Sequence, residues 1–215
     1  MPIIDLTHTF QEAMPVYPGD PLPELKRIAS LETDGFTDHL ICTGMHAGTH
    51  MDGPLHMLER GEPLSQFPVE RFFGRGRIVD ARGREIVTED LIDERSMLIE
   101  PGDILLVFTG WSQFYGDPDY FTDYPQLSLS FARLAVERGV GLIGLDTPSP
   151  DGVPYAVHHF LLSHNVLIIE NLTNLESLLS LADFEIIALP AKFQADSAPV
   201  RVVARGVEKK RVKLS

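Results

Sequence analysis

The sequence is short of cysteine, of basic residues and of long apolar runs, and each shortage excludes a class of protein. Cys42 is the only cysteine among 215 residues, so no disulfide can form within the chain. This is typical of a protein that stays in a reducing compartment, and we expect the cytoplasm. Because Cys42 ends the apolar run Leu40-Ile41-Cys42, we expect a packed thiol rather than a catalytic nucleophile.

Basic residues are outnumbered, with 18 Lys and Arg against 31 Asp and Glu, which leaves a formal net charge of −13. This charge repels the phosphates of nucleic acids and anionic membrane surfaces, so neither is expected as a partner. No apolar run approaches the roughly 18 residues that a membrane-spanning helix requires. The first residues also lack the basic and apolar segments of a signal peptide.

The remaining composition, 44% hydrophobic and 23% charged, is that of an ordinary globular protein. We expect one domain over residues 1–215. Strand patterns outnumber helix patterns and alternate with them, which predicts a mixed α/β fold. Strands are predicted at residues 3–6, 25–31, 37–45, 77–80, 104–108, 141–145, 166–169, 184–189 and 199–204. Helices are predicted at 88–94 with Thr88 as cap, from Ser128 or Ser130 to Gly139, at 155–163 and at 175–181.

The most informative segment is residues 46–56, in which three histidines and one aspartate occupy even-numbered positions. Alternate residues of an extended chain share one face, so these polar side chains can converge. A buried imidazole or carboxylate without a partner is costly, which favours a bound cation over a merely solvated loop. The four residues are His46, His50, Asp52 and His56.

The segment must bend if these side chains are to hold one ion. Fully extended, His46 and Asp52 would be separated by about 20 Å at roughly 3.3 Å per residue. Gly48 and the pair Gly53-Pro54 supply the residues that permit a turn. A helix carrying two histidines at i and i+4 is the alternative, but this glycine-rich segment is poor helix material, so we favour a strand that runs into a tight turn.

A second polar pair lies in the later half of the chain. On the predicted helix 155–163, His158 shares its face with Leu161 and Leu162 and therefore points inward, whereas His159 is turned about 100° away. Glu170 ends a predicted apolar strand, where a carboxylate beside a core needs a partner or a cation. This pair is the best candidate to complete the site begun by residues 46–56. The ordinary alternatives are a hydrogen-bonded core histidine for His158 and a solvated carboxylate at the strand end for Glu170.

Residues 46–56 resemble the H-x-G-T-H-x-D-x-P-x-H signature of the cyclase-like metal hydrolases, the family of bacterial kynurenine formamidase and isatin hydrolase. All seven defined positions agree, namely His46, Gly48, Thr49, His50, Asp52, Pro54 and His56. The likeness continues through residues 144–149, through the twelve-residue interval from His158 to Glu170, and to residues 198–201. It spans nearly the whole chain.

The resemblance implies a single-domain layered β/β/α fold of the swivelling, cyclase-like type. It also implies one or two divalent ions per chain, zinc in the first place with manganese as the alternative, and a homodimer or homotetramer. Carried over residue by residue, it assigns one ion to His46, His50 and Asp52, a second to Asp52, His158 and Glu170, and general acid–base catalysis to His56.

The implied activity is hydrolysis of a carbon–nitrogen bond in a small substrate, an aryl formamide or a cyclic amide, by metal-activated water. A cyclase, dehydratase or lactone hydrolase on the same site, or a non-catalytic metal-binding protein, are the alternatives. Tyr17 is the candidate substrate contact, because its ring can stack on an aromatic group. The kynurenine formamidases that this segment resembles have Trp at the position of Tyr17. Because Tyr17 departs from that pattern, the exact substrate stays open.

Overall fold

The computed structural model describes residues 1–92 and 98–207 of the chain. Its strands are β1 Ile3–Asp5, β2 Glu24–Ala29, β3 Asp38–Cys42, β4 His50–Asp52, β5 Phe73–Asp80, β6 Ile86–Val87, β7 Ile104–Phe108, β8 Gln126–Leu127, β9 Leu142–Leu145, β10 Leu167–Glu170, β11 Phe184–Pro190 and β12 Ser197–Gly206. Its α-helices are α1 Leu31–Asp34, α2 Leu129–Glu137 and α3 Ala156–Ser163. Short 3₁₀ turns lie at Pro54–His56, Leu64–Gln66, Val69–Phe72, Glu89–Leu91, Trp111–Phe114 and Leu175–Ser180.

Seven strands form a closed sheet in the order β12-β11-β5-β7-β9-β10-β4, and β4 pairs with β12 again. The ten-residue strand β12 makes this closure possible, because its first residues pair with β4 and its later residues with β11. Strand β1 adds to β12 from outside the ring. Closure removes the sheet edges on either side of β4, the strand that carries His50 and Asp52.

The central strands are buried on both faces, which explains their continuous apolar sequences. In β7, Ile104, Leu106 and Phe108 belong to one core cluster. Leu105 and Val107 belong to a second cluster on the other face, as the period of two requires. Helices α2 and α3 pack on this second face.

A side chain from the preceding segment accepts a hydrogen bond from a first-turn amide in both longer helices. The Ser128 hydroxyl accepts a hydrogen bond from the Phe131 amide at the start of α2. This helix stops where Gly139 takes a φ of +74°. The Asp151 carboxylate accepts a 2.7 Å bond from the Val157 amide at the start of α3. Asp151 therefore fixes the end of the helix that carries His158.

The mixed α/β fold is confirmed, with local corrections. Cys42 is exposed rather than packed, because β3 lies outside the closed sheet. The helix predicted at 88–94 is a 3₁₀ turn over Glu89–Leu91, and residues 93 and 94 lie outside the described ranges. Thr88 bonds the Asp90 side chain instead of capping a helix. Among the described residues, no helix is long and apolar enough to cross a membrane.

Candidate metal centre

Strand β4 and the turns on either side of it arrange the first half of the site. His50 and Asp52 point to one face of β4, while Met51 between them is buried in the core. Gly48 has a φ of +68°, a conformation that only glycine adopts readily, and the turn there brings His46 back beside Asp52. The expected strand with a tight turn is therefore what this segment forms.

The second half of the site comes from the neighbouring strand and from the helix before it. Strand β10 is antiparallel to β4, and Glu170 lies directly opposite His50 in this pairing. Helix α3 presents His158 to the same point. His158 is buried and His159 exposed, as its helical position predicts. The structure thus brings together side chains that are more than one hundred residues apart in sequence.

Five side chains converge without forming ordinary hydrogen bonds to one another. Glu170 Oε2 lies 3.2 Å from His50 Nε2, and Glu170 Oε1 lies 3.2 Å from His158 Nε2. Asp52 Oδ1 lies 3.1 Å from His46 Nδ1 and 3.5 Å from His50 Nε2. Asp52 Oδ2 lies 3.9 Å from His158 Nε2.

Four of these five separations, from 3.1 to 3.5 Å, are close to those between ligands that share an ion. With bonds of about 2.0–2.1 Å in tetrahedral geometry, two ligand atoms lie about 3.3–3.4 Å apart. His50 Nε2, both oxygens of Asp52 and Glu170 Oε1 are buried and have no hydrogen-bond partner. Leaving such atoms unpaired is costly, and a cation among them satisfies all of them at once. The nitrogen and oxygen donors suit zinc or manganese.

The outward nitrogens of His50 and His158 are held by fixed acceptors. The Gly48 carbonyl accepts a 2.8 Å hydrogen bond from His50 Nδ1. Asp151 Oδ1 lies 2.8 Å from His158 Nδ1. An acceptor on the far nitrogen sets the tautomer and orientation of a metal-binding imidazole, and leaves Nε2 free to face the ion.

The Asp196 carboxylate is the corresponding acceptor for the outward nitrogen of His46, and it also contacts His56. Its Oδ2 lies 2.9 Å from His46 Nε2 and 3.4 Å from His56 Nδ1. The Ser197 hydroxyl lies 3.1 Å from the same His46 nitrogen. The imidazole rings of His46 and His56 are 4.2 Å apart between centroids. Asp196 therefore links a candidate ligand to the candidate acid–base residue.

The electrostatics of the cluster favour positive charge among its carboxylates. Burial opposes ionisation of His46, but Asp52 and Asp196 raise its pKa to about 9. Burial likewise opposes the charge on His158, but its carboxylate neighbours raise its pKa well above the usual value. The pKa of Asp52 is lowered well below its usual value, because the neighbouring histidines outweigh its burial. Protons and divalent ions compete for such a site.

His56 differs from the other three histidines. It ends the 3₁₀ turn Pro54–His56, which begins after Gly53. Burial lowers its pKa, and the charges of His46 and His158 add to this effect against the attraction of Asp52. A neutral imidazole beside a cation site can accept a proton near neutral pH.

A cavity of about 230 Å³ opens onto the cluster. His46, His56, His158 and Glu170 form its polar end. Its remaining walls are largely aromatic and apolar, lined by Tyr17, Met57, Phe121, Pro148 and Tyr155, with Asp20, Ser149 and Asn171. The rings of Tyr17 and Phe121 meet edge to face, 5.7 Å apart between centroids. Tyr17, the candidate substrate contact, thus lines the cavity that opens onto the cluster.

Asp151 and Asp196 belong to the site but were not predicted. Asp151 had a local signal, because a carboxylate shortly before a helix is typical of a capping position. Asp196 had none, since it lies in a loop just before β12 and meets His46 across 150 residues of sequence. Its position follows from the pairing of Ser197 with Asp52 that closes the sheet.

The sequence and the fold are similar to those of known proteins. The kynurenine formamidase of Bacillus mycoides is 30% identical over 95% of this chain and 97% of that protein. An uncharacterized protein of Methanocaldococcus jannaschii is 36% identical over 95% of this chain and 99% of its own. The structure of isatin hydrolase A from Labrenzia aggregata superimposes with a TM-score of 0.83 at 26% identity, covering 94% of this chain and 93% of that one.

The histidines and carboxylates gathered around one buried point could hold a metal ion. Together with the kinship to a kynurenine formamidase and an isatin hydrolase, they place the chain among the metal-dependent hydrolases. Residues 4–152 match the family described as putative cyclase. This match covers more than half of the chain, and the relatives align over nearly all of it. The chain belongs to the cyclase family.

Proposed function

We propose that this protein hydrolyses a carbon–nitrogen bond in a small aryl formamide or cyclic amide. The observation that carries the proposal is the set of unpartnered, buried nitrogen and carboxylate atoms that face one another at the end of an aromatic cavity. The kinship with a kynurenine formamidase and an isatin hydrolase supports this substrate class. The small cavity suits a single-ring or fused-ring compound.

The residues that would hold the metal are divided between two positions that share Asp52. His46, His50 and Asp52 form the first, and Asp52, His158 and Glu170 the second. We propose zinc, with manganese as the alternative. Divalent ions held by these residues would supply polarisation of a carbonyl oxygen and a water molecule whose pKa is lowered towards about 7.

His56 is proposed to carry the proton during the reaction. Its imidazole is largely neutral at neutral pH, so it can accept a proton from the attacking water and return it to the leaving nitrogen. Asp196 lies 3.4 Å from His56 Nδ1 and would hold the ring in place. The aromatic walls formed by Tyr17 and Phe121 would orient the substrate ring and exclude water.

Hydrolysis assays on the purified protein test the proposal. The substrates are an N-formylanilide, isatin and an aryl lactone, each measured before and after treatment with a chelator and after metal is restored, with metal content determined in parallel. We expect turnover of the formanilide or of isatin that disappears with the chelator and returns with zinc or manganese. Bound metal without turnover of these two amides would contradict the proposal.

A pair of adjacent histidines supplies the control. His158→Ala removes a buried candidate ligand, and His159→Ala removes its exposed neighbour on the same helix. We expect the first variant to lose metal and activity and the second to keep both. Turnover of the lactone alone would favour the alternative lactone hydrolase.

Two further properties are proposed on narrower grounds. A layered β/β/α arrangement is supported by the two core clusters on opposite faces of the central strands, with α2 and α3 on one of them. A cytoplasmic location is supported by Cys42, an exposed free thiol that would stay reduced there.

A further inference from the structure

Asn171 directly follows the candidate ligand Glu170 and is buried where several segments meet. It is only 5% exposed. Its φ of +57° is in the left-handed region, which asparagine adopts more readily than most residues. The Asn171 amide donates a 3.0 Å hydrogen bond to the Thr147 carbonyl, and the Asn171 carbonyl accepts one of 2.6 Å from the Thr49 hydroxyl. The main chain of Asn171 is therefore fixed, which gives its side chain a defined direction.

The Asn171 side chain donates a hydrogen bond to the carbonyl that orients His50. Asn171 Nδ2 lies 3.0 Å from the Gly48 oxygen, which also accepts the 2.8 Å bond from His50 Nδ1. A carbonyl oxygen has two lone pairs, so it can accept both bonds at once. Because the Thr49 hydroxyl also bonds to Asn171, both residues of the peptide bond between Gly48 and Thr49 are tied to Asn171.

The orientation of the Gly48 carbonyl decides which nitrogen of His50 carries the proton. Gly48 has a φ of +68°, and a glycine has access to other conformations in which this carbonyl turns away. His50 Nδ1 would then lose its acceptor. Its proton would be better placed on Nε2, where Glu170 Oε2 lies 3.2 Å away and can accept it. A protonated Nε2 has no lone pair to offer a metal ion.

Tyr120 sets the direction of the Asn171 side-chain amide. Tyr120 is fully buried, and its hydroxyl donates a 2.8 Å hydrogen bond to Asn171 Oδ1. The other acceptor near this hydroxyl, the Asp146 carbonyl, is farther away at 3.4 Å. Because an amide has its acceptor and its donors on different atoms, holding Oδ1 at Tyr120 directs Nδ2 to Gly48. The hydrogen bonds thus form a chain from Tyr120 through Asn171 and Gly48 to His50.

We propose that Asn171 is a positioning residue of the metal centre, which keeps His50 in the tautomer that can bind a cation through Nε2. Tyr120 supports this role by orienting the amide. The inference rests on the metal site of the proposed function, but the defect that it predicts is one of metal affinity, which is measured without substrate.

Zinc affinity of glycine variants tests the proposal, because glycine keeps the left-handed conformation and removes only the side chain. In competition with a chromophoric chelator, Asn171→Gly should bind zinc about tenfold more weakly, the lower end of the loss typical of contacts that support a metal ligand. Asn174→Gly is the matched control and should bind zinc like the wild type. Asn174 has a φ of +59°, and its Nδ2 also donates to a backbone carbonyl, that of Asp5, but neither residue lines the cavity.

Tyr120→Phe provides a second test that leaves the packing of the ring unchanged. Loss of its hydrogen bond should weaken zinc binding by about threefold. Adding Tyr120→Phe to Asn171→Gly should cause no further loss, because both residues act through the same carbonyl. Thermal unfolding confirms that each variant is folded under the conditions of the measurement.

The possible results separate this proposal from the proposed function. Equal zinc affinity of Asn171→Gly and Asn174→Gly would overturn the positioning role, as would additive losses in the double variant. A raised KM of Asn171→Gly at unchanged zinc affinity would also overturn it, since Asn171 would then be a substrate contact. A wild-type chain that binds no zinc or manganese would overturn the metal centre itself and both proposals with it.

Discussion

At the scale of single residues, Asp52 has the most demanding position in the molecule. Both of its oxygens are buried without hydrogen-bond partners, and three histidines face them at 3.1 to 3.9 Å. A charge in this position is stable only when a cation or protonated imidazoles surround it. His56 also lies within reach of Asp52, together with His46, and the proposed function assigns it the proton rather than the metal.

We therefore expect opposite results from two alanine variants. Asp52→Ala should lose the metal and, with it, activity, because it removes the ligand shared by both positions. His56→Ala should keep the metal and lose a factor of about 10²–10⁴ in kcat, the usual contribution of a general acid–base residue. Metal analysis and steady-state kinetics check both. Loss of metal in His56→Ala with retention in Asp52→Ala would show that the roles are reversed.

Asp196 should act through the two histidines it touches. Removing the acceptor on the far nitrogen of a metal-binding imidazole typically costs about 10–100-fold in metal affinity, so we expect this loss for Asp196→Ala. Asp196→Asn keeps an acceptor oxygen and should lose less. Competition with a chromophoric chelator measures the affinity, with the exposed Asp117→Ala as control. An unchanged metal affinity in Asp196→Ala would remove Asp196 from the site.

At the scale of elements, the 3₁₀ turn Pro54–His56 depends on a close contact with Gly61. A Cβ atom at Gly61 would lie 2.3 Å from the Pro54 carbonyl carbon and 2.3 Å from the Leu55 amide nitrogen. These are backbone atoms, so the turn itself must move to admit a methyl group. Because His56 ends this turn, its imidazole would be displaced from the cavity.

Gly61→Ala should therefore lower kcat by about tenfold or more and reduce stability by about 1–3 kcal/mol, with metal retained. The matched control is Gly141→Ala, since a Cβ there meets only ordinary contacts at 3.8 Å and beyond. Kinetics, thermal unfolding and metal analysis distinguish the two. Equal effects of both variants would mean that the glycine contact does not position His56.

The elements also show which features of the fold could be predicted from the sequence alone. Buried strands such as β7 and β10, and the inward direction of His158 on α3, could be predicted because burial follows a local period. The role of Asp196 and the closure of the sheet could not, since β12 meets β4 across about 145 residues, and strand pairing of this kind leaves no periodic signal. The prediction that Cys42 is packed was wrong for the converse reason. Its apolar neighbours look like core residues, but they lie on the exposed strand β3.

At the scale of the whole molecule, the same buried carboxylates can be stabilised in two alternative ways, by a metal ion or by protons on the histidines. Without metal, His46 has a pKa of about 9, above its unfolded value of about 6.5. The stability it contributes is complete below about pH 6.5 and is lost as the pH rises towards 9. With metal bound, the ion takes the place of these protons, so this loss should not occur.

A chelator should therefore lower the melting temperature more at pH 9 than at pH 6.5. Protonation of His46 changes the free energy of unfolding by on the order of 1–3 kcal/mol between the two pH values. At about 2–4 °C per kcal/mol for a chain of this size, this amounts to several degrees in the melting temperature. Differential scanning fluorimetry with and without chelator at the two pH values measures it. His46→Gln should reduce the difference, and His159→Gln should preserve it. A chelator effect that is equal at both pH values, or larger at pH 6.5, would mean that protonated histidines do not replace the ion in balancing Asp52 and Glu170.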